Sequence, residues 1–207
     1  MKRYFIGLFL IIISIVFFHG CKDDRVRTLS VDSSDVALIS IVADDGKKDS
    51  NIILRNYGHA FLVIENISQD ILVIGDREVL PLESITIGLW NIKEHFGIWY
   101  NIESNYISEY NKYRNRVLIT IGINLEDIDS INSEIRACDK WTPIFNCSTF
   151  ATKLWNLVAE EDEKINDKLL LSPSYLVKEI TKFKGHERQK EIITNKNIFY
   201  YGEGILW

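Results

Sequence analysis

Cys147 is the residue of this sequence best placed for nucleophilic chemistry. It lies in residues 145–156, FNCSTFATKLWN, directly after Asn146. Asparagine is a favoured helix N-cap, so Cys147 is predicted to lie in the first turn of a helix. The unpaired N–H groups and the dipole of a helix start favour the thiolate over the thiol. A thiolate is the reactive form of cysteine, so the position suits a nucleophile; the alternative is a small, inert core residue.

A partner for such a thiol is available in His59. It begins residues 59–66 of the segment GHAFLVIEN, which alternates as a strand does, and Gly58 before it allows close approach of the backbone. A histidine at a strand end can face an open cleft and act as a general base. The alternative is a histidine that is hydrogen-bonded in a loop or at the edge of the core.

Taken together, GHAFLVIEN and the later NCSTFATKLWN resemble a known family. The resemblance is to the circularly permuted papain-like group of the NlpC/P60 superfamily, in which the histidine strand precedes the cysteine helix. It covers roughly residues 36–160 and implies an α+β fold with an antiparallel sheet packed against helices. It further implies that Cys147 is the nucleophile and His59 the general base, and it implies no cofactor.

The third residue, which would orient the histidine, is not fixed by the resemblance. The family places a polar residue on the strand after the histidine strand, but here that strand, residues 71–74, is the apolar ILVI. If that strand pairs back on the histidine strand, Glu78 lies opposite His59, with Asp76 close in register. His95 is an equal alternative to Glu78. Each acid is also interpretable as a solvated turn charge.

Two further residues are candidates for support of the site. The backbone N–H of Cys147 would form part of an oxyanion hole, and Asn146 would hold the helix start. Trp141 stands six residues before the cysteine, where papain-like enzymes place a side-chain donor; the alternative is that it packs under the helix. No metal site is expected, because the sequence has no His-x-x-x-His, no Cys-x-x-Cys and no clustered carboxylates.

The start of the chain predicts a lipoprotein signal peptide over residues 1–20. Lys2 and Arg3 precede an apolar run, residues 4–18, that is short for a membrane span but fits a signal-peptide core. The following His19-Gly20-Cys21 resembles a lipobox, which implies that Cys21 carries the lipid anchor. An ordinary signal peptide or an anchor helix is the alternative.

Residues 21–35 are polar and are predicted to form a tether. Within them Lys22-Asp23-Asp24 resembles the surface-export signal of Bacteroidetes lipoproteins; an ordinary solvated tether is the alternative. Both interpretations place the protein in the cell envelope, outside the cytoplasm. In an oxidising compartment Cys138 could pair with Cys147 only if the intervening loop doubles back.

The remainder of the chain, residues 36–207, is predicted to form a single domain. The composition, 46% hydrophobic and 26% charged, is that of a folded protein, and the net charge of -5 argues against nucleic-acid binding. Strands precede helices along the chain, which is typical of an α+β domain. The predicted strands are residues 36–43, 51–56, 58–66, 71–74, 83–88, 97–102 and 116–121, with a last one within 198–207. The predicted helices begin at Leu125, Cys147 and Pro173, and the first is expected to end near Trp141.

These features favour a cell-envelope thiol hydrolase that cleaves an amide bond, with peptidoglycan stem peptides as the natural substrate. A related alternative is acyl transfer or thioester cleavage on lipids. A non-catalytic surface lipoprotein that retains the papain-like shape as a binding module is a second alternative. A structural lipoprotein of unrelated α+β fold is a third.

Overall fold

The structure, a computed structural model, describes residues 32–46, 58–138, 140–166, 171–194 and 197–201. The predicted signal peptide, Cys21 and the strand predicted at 51–56 lie outside the described residues, as does most of the tether. Within the described ranges the chain forms nine strands and four helices. The strands are β1 (Ala37–Asp44), β2 (His59–Asn66), β3 (Leu72–Ile74), β4 (Arg77–Val79), β5 (Ser84–Asn91), β6 (Phe96–Tyr100), β7 (Val117–Ile123), β8 (Glu187–Arg188) and β9 (Phe199–Tyr200). The helices are α1 (Ile102–Tyr110), α2 (Leu125–Ala137), α3 (Cys147–Val158) and α4 (Pro173–Ile180).

Seven of the strands form one antiparallel sheet in the order β8-β7-β1-β2-β5-β6-β9. The central strand of the sheet is β2, which pairs with β1 on one side and β5 on the other, and β1 in turn pairs with β7. The other two strands, β3 and β4, form a separate hairpin. The predicted α+β class, with an antiparallel sheet packed against helices, is therefore confirmed.

The alternation of side chains along β2 divides the sheet into two faces. Ala60, Leu62 and Ile64 point into the main core, which α2, α3 and α4 cover. Phe61 points the other way, into a smaller apolar cluster with Tyr113. On that second face α1 packs against β5. The histidine strand thus separates the helix that carries Cys147 from the helix that follows β6.

The hairpin predicted to pair back on β2 lies elsewhere, so the register that set Glu78 opposite His59 is wrong. The neighbours of β2 are β1 and β5, and the register partner of His59 is Asp44. Asn66, fully buried at the end of β2, explains the difference. Its Nδ2 donates to the carbonyl oxygens of Asp70 (2.8 Å) and Val79 (2.9 Å), which fixes the base of the β3–β4 hairpin beyond the end of β2.

Several element boundaries also differ from the prediction, two of them next to residues of the candidate site or its supporting helices. The strand predicted at 97–102 ends at Tyr100, because Asn101 adopts a left-handed conformation (φ 62°) and starts α1, a helix that the sequence pattern did not indicate. Helix α2 ends at Ala137 rather than near Trp141. None of the helices in the described part of the chain is long and apolar enough to cross a membrane.

Asn66→Asp tests the role of Asn66 at the hairpin base. The change keeps the shape of the side chain but turns a carboxylate oxygen towards two carbonyl oxygens. We expect the free energy of unfolding to fall by about 2–3 kcal/mol at pH 7. Burial raises the pKa of the new carboxyl, and its protonated form can donate again, so the deficit relative to wild type should shrink near pH 4. Urea unfolding at both pH values measures this. Asn91→Asp, on an exposed residue of β5, is the control; equal losses in the two variants would contradict the assignment.

Candidate active site

Cys147 is the first residue of α3, and the predicted cap is present. The Asn146 side chain accepts hydrogen bonds from the N–H groups of Ser148 (2.9 Å) and Thr149 (3.2 Å). Its Nδ2 donates to the Leu171 carbonyl (3.0 Å), which ties the helix start to the segment before α4. Cys147 is half-buried, and its own N–H has no acceptor among the residues that the structure describes. Cys147 therefore lies at the positive end of the helix, with an N–H that is unpaired within the described residues.

An opening between two strands brings this sulfur to the histidine strand. The ladder between β2 and β5 runs from Glu65↔Ser84 to Leu62↔Ile87 and stops there, while β5 continues to pair with β6. Ala60 lies two residues beyond Leu62, the last residue of β2 that pairs with β5. Its backbone N–H lies near the sulfur of Cys147 and lowers the pKa of that thiol. The thiol of Cys147, on the helix-covered face of the sheet, thus lies at the edge of β2 where β2 and β5 separate.

His59 is buried at the start of β2 with its ring held between other rings. The Trp90 ring lies at a centroid distance of 4.3 Å, and Phe61 (5.9 Å) and Tyr113 (5.8 Å) stack against it. Gly58 before it has φ 76°, and a Cβ there would collide with the Asp44 carbonyl. These contacts fix the plane of the imidazole. Its two nitrogens stay available for hydrogen bonds.

The partner of one nitrogen is Glu103, a carboxylate that sequence reasoning missed. Glu103 lies in the first turn of α1 and is 0% exposed. Its Oε1 accepts from His59 Nε2 (2.9 Å) and Trp90 Nε1 (2.8 Å), and its Oε2 accepts from Thr86 Oγ1 (2.9 Å). Three donors satisfy a carboxylate that would otherwise be costly to bury. With Nε2 so engaged, Nδ1 is the nitrogen left for the thiol of Cys147, which is within hydrogen-bonding reach of His59.

The charges of this group favour an ion pair of thiolate and imidazolium. Burial lowers the pKa of His59, but Cys147 and Glu103 outweigh it and raise that pKa to about 9. Burial raises the pKa of Cys147, but His59, the Ala60 N–H and the Ser148 hydroxyl reverse this and hold it below the usual value. The two groups titrate as a pair. The lowered pKa of Cys147 favours its thiolate, and His59 holds a proton at neutral pH that it can donate.

The predicted supporting residues lie in different places. Glu78 is exposed on β4 of the hairpin, and Asp76 is exposed in its turn, paired with Arg77 at 3.0 Å. His95 packs edge-on against Trp99 (4.5 Å) and Trp90 (6.3 Å) rather than binding His59, and burial lowers its pKa. In the structure the residue that contacts His59 is therefore Glu103, where Glu78 or His95 was predicted.

Trp141 is half-buried and packs against the core, as the alternative interpretation predicted. No hydrogen bond of its indole is found within the described ranges. Cys138 is a free thiol, like Cys147, and lies at the end of α2 beside Glu134. Burial and the Glu134 carboxylate raise the pKa of Cys138 to about 11. No group of three His, Cys, Asp or Glu side chains in the described segments could hold a metal ion.

A period-two pattern on β5 makes room for the missed carboxylate. Thr86, Gly88 and Trp90 share one face of this strand, and Glu103 lies on that face. A Cβ at Gly88 would collide with the Glu103 carboxylate and come within 2.9 Å of Trp90 Nε1. A hydrogen-bond donor at Thr86, no side chain at Gly88 and a second donor at Trp90 were the signal that the sequence offered. That signal could be interpreted only once a carboxylate was known to pack on this face of β5.

Comparison with protein-family models, with curated proteins and with solved structures finds no match to this chain.

The ion pair of Cys147 and His59 predicts how Cys147 reacts with iodoacetamide. We expect Cys147 to be alkylated below pH 7, because its pKa is lowered, while Cys138 stays unreacted until far higher pH. In His59→Gln the charge that opposes burial is lost and only the Ala60 N–H and the Ser148 hydroxyl still favour the thiolate, so alkylation at pH 6.5 should slow by at least about tenfold. Mass mapping of the full chain distinguishes the cysteines and makes Cys138 the internal control. Unchanged kinetics in His59→Gln would refute the pair.

The space that Gly88 leaves for the Glu103 carboxylate gives a further prediction. Gly88→Ala should lower the free energy of unfolding by about 1–3 kcal/mol, because the new methyl group overlaps the Glu103 carboxylate. Glu103→Asp shortens that side chain and should restore space, so the double variant should be more stable than the two single losses predict. Thermal unfolding of the four proteins measures the coupling. Strictly additive losses would show that Gly88 and Glu103 do not share this space.

Proposed function

We propose that this protein is a thiol hydrolase of the cell envelope that cleaves amide bonds with a Cys147–His59–Glu103 triad. The observation that carries the proposal is the continuous line of contacts from a helix-start thiol through a buried imidazole to a buried carboxylate. Nucleophile, base and orienting group are the parts that such catalysis requires. Burying a thiol, an imidazole and a carboxylate together contributes little to the stability of the fold, which supports a chemical role for the three groups.

In the first half of the reaction the Cys147 thiolate attacks the carbonyl carbon of the amide. The carbonyl electrons move to oxygen, and the Cys147 N–H is placed to donate to that oxyanion. The intermediate collapses as the C–N bond breaks, and the His59 imidazolium gives its proton to the departing amine. The products of this half are a free amine and a thioester on Cys147.

In the second half the neutral His59 takes a proton from water, and the resulting hydroxide attacks the thioester. The C–S bond breaks, releasing the carboxylic acid and regenerating the thiolate beside an imidazolium. Glu103 keeps the Nε2–H directed away from the reaction and stabilises the positive charge of the ring. The balance is one amide and one water consumed, and one acid and one amine formed.

The proposed class is a permuted papain-like enzyme of the NlpC/P60 type. It is supported by the order of the histidine strand before the cysteine helix and by the antiparallel sheet packed on that helix. The proposed substrate is a peptide of the cell envelope, with peptidoglycan stem peptide as the leading case. The proposed location, outside the cytoplasm on a lipid anchor at Cys21, rests on the lipobox-like sequence.

Trapping of the acyl-enzyme tests this function. The full chain is incubated with peptidoglycan stem peptides, with peptide thioesters and with phospholipids, then quenched in acid and mapped by mass spectrometry. We expect the acyl part of a stem peptide on Cys147, with free amine released in equal amount. Glu103→Gln should retain the adduct but shift the alkaline limit of the rate to lower pH, because the loss of the carboxylate lowers the pKa of His59.

Cys147→Ala is the control that must abolish the adduct, and Cys138→Ala must leave it unchanged. A phospholipid acyl group on Cys147 would instead indicate the lipid acyltransferase class. Tight binding of a stem peptide without any adduct or amine release would indicate a binding module and would refute the enzyme.

A further inference from the structure

Apolar side chains are exposed together at one end of the molecule. They project from the β3–β4 hairpin, from the turn after it and from the first residue of α2. Their exposed fractions run from 45% for Leu80 to 82% for Leu82. The group, called the apolar end below, consists of Ile71, Val73, Leu80, Leu82 and Leu125.

The members of the apolar end are neighbours through the backbone. Ile71 and Val73 share the outer face of β3, and the register Leu72↔Val79 sets Leu80 next to Ile71. Leu82 follows in a turn with φ 65°, and its N–H donates to the Asn66 carbonyl (2.9 Å). A leucine held in a left-handed conformation with its side chain in solvent costs free energy on two counts. Patches of this kind mark sites for membranes or partners.

The chain leading from the apolar run of residues 4–18 joins the fold at this same end. The Val36 carbonyl accepts from the Ile67 N–H (3.1 Å), and the Val36 N–H donates to the Ile123 carbonyl (2.9 Å). Ile67 leads into the hairpin, and Ile123 lies two residues before Leu125. The strand that continues from the tether is therefore flanked on both sides by segments that carry the apolar end.

We infer that the apolar end inserts into the boundary of a lipid bilayer and orients the molecule on it. Only ten residues lie between Cys21 and Asp32, where the described chain begins, so the fold starts at most about 40 Å from the predicted anchor. A lipid anchor holds a protein at a membrane without fixing its orientation, whereas a second apolar contact strengthens the binding and fixes the orientation. Asp70 and Glu83 flank the contact, so a zwitterionic surface suits it better than an anionic one.

The orientation places the triad at the far end of the sheet. The apolar end adjoins Asn66, at one end of β2, and His59 is at the other end. Eight residues of strand set these ends about 23 Å apart. If the proposed hydrolase is correct, its thiol faces the aqueous layer above the bilayer, where a peptide polymer lies, rather than the acyl chains.

Spin labels on the full chain in phosphatidylcholine vesicles test the inference. In a Cys138→Ser/Cys147→Ala background, the label is attached through Leu82→Cys or Leu125→Cys, two exposed positions. The matched control is Arg114→Cys, exposed close to the Asp44 end of β1. Accessibility to oxygen and to a nickel chelate gives the depth of each label, and the background chain gives residual labelling.

We expect the labels at 82 and 125 to lie about 5–10 Å below the headgroups, with the label at 114 in water. Labels in water at all three positions would overturn the inference. So would labels at 82 and 125 shielded from both reagents, since residues 4–18 or another protein would then cover the apolar end. Spin–spin broadening at 82 would show a second copy there and would also overturn it. None of these outcomes depends on catalytic activity.

Discussion

The buried Glu103 carboxylate is the constraint on which the site depends. A charge with no exposed surface is tolerable only when every oxygen has a donor, and here His59, Trp90 and Thr86 supply them. Those donors come from β2 and β5, so satisfying Glu103 fixes the relation of the two strands to α1. The same contacts hold the imidazole plane. Fold stability and the geometry of the candidate triad are therefore one requirement.

The division of the sheet between β2 and β5 serves the same end. A ladder that continued to Ala60 would use its N–H for pairing and would close the path to the thiol. Because the strands separate, Cys147 can approach from the helix-covered face while Glu103 approaches His59 from the other. Gly88 lies where β5 diverges, and its missing side chain is the space that the carboxylate occupies. One opening thus joins groups from two faces.

Local patterns account for what the sequence predicted well. Alternation along β2, the Asn146 cap and the helix starts predicted at Leu125 and Pro173 each involve residues within a few positions of one another, and each is present. Such interactions act through nearest neighbours, so they survive in any fold that contains the segment. Most strands and all three predicted helix starts followed from them. The juxtaposition of Cys147 with His59 is present too, although a resemblance rather than a local pattern indicated it.

The sequence by itself determined most of the strands, three of the four helices in the described part of the chain, and the two residues most suited to chemistry. Only the tertiary structure decided the partner of the histidine, because His59 and Glu103 are 44 positions apart and meet through the packing of α1 on β5. The prediction that Glu78 contacts His59 was wrong for the same reason. Glu78 is closer to His59 in sequence, but buried Asn66 directs β3 and β4 away from β2. Short-range preferences cannot specify which distant polar groups a buried charge will find. That depends on which surfaces the chain buries together.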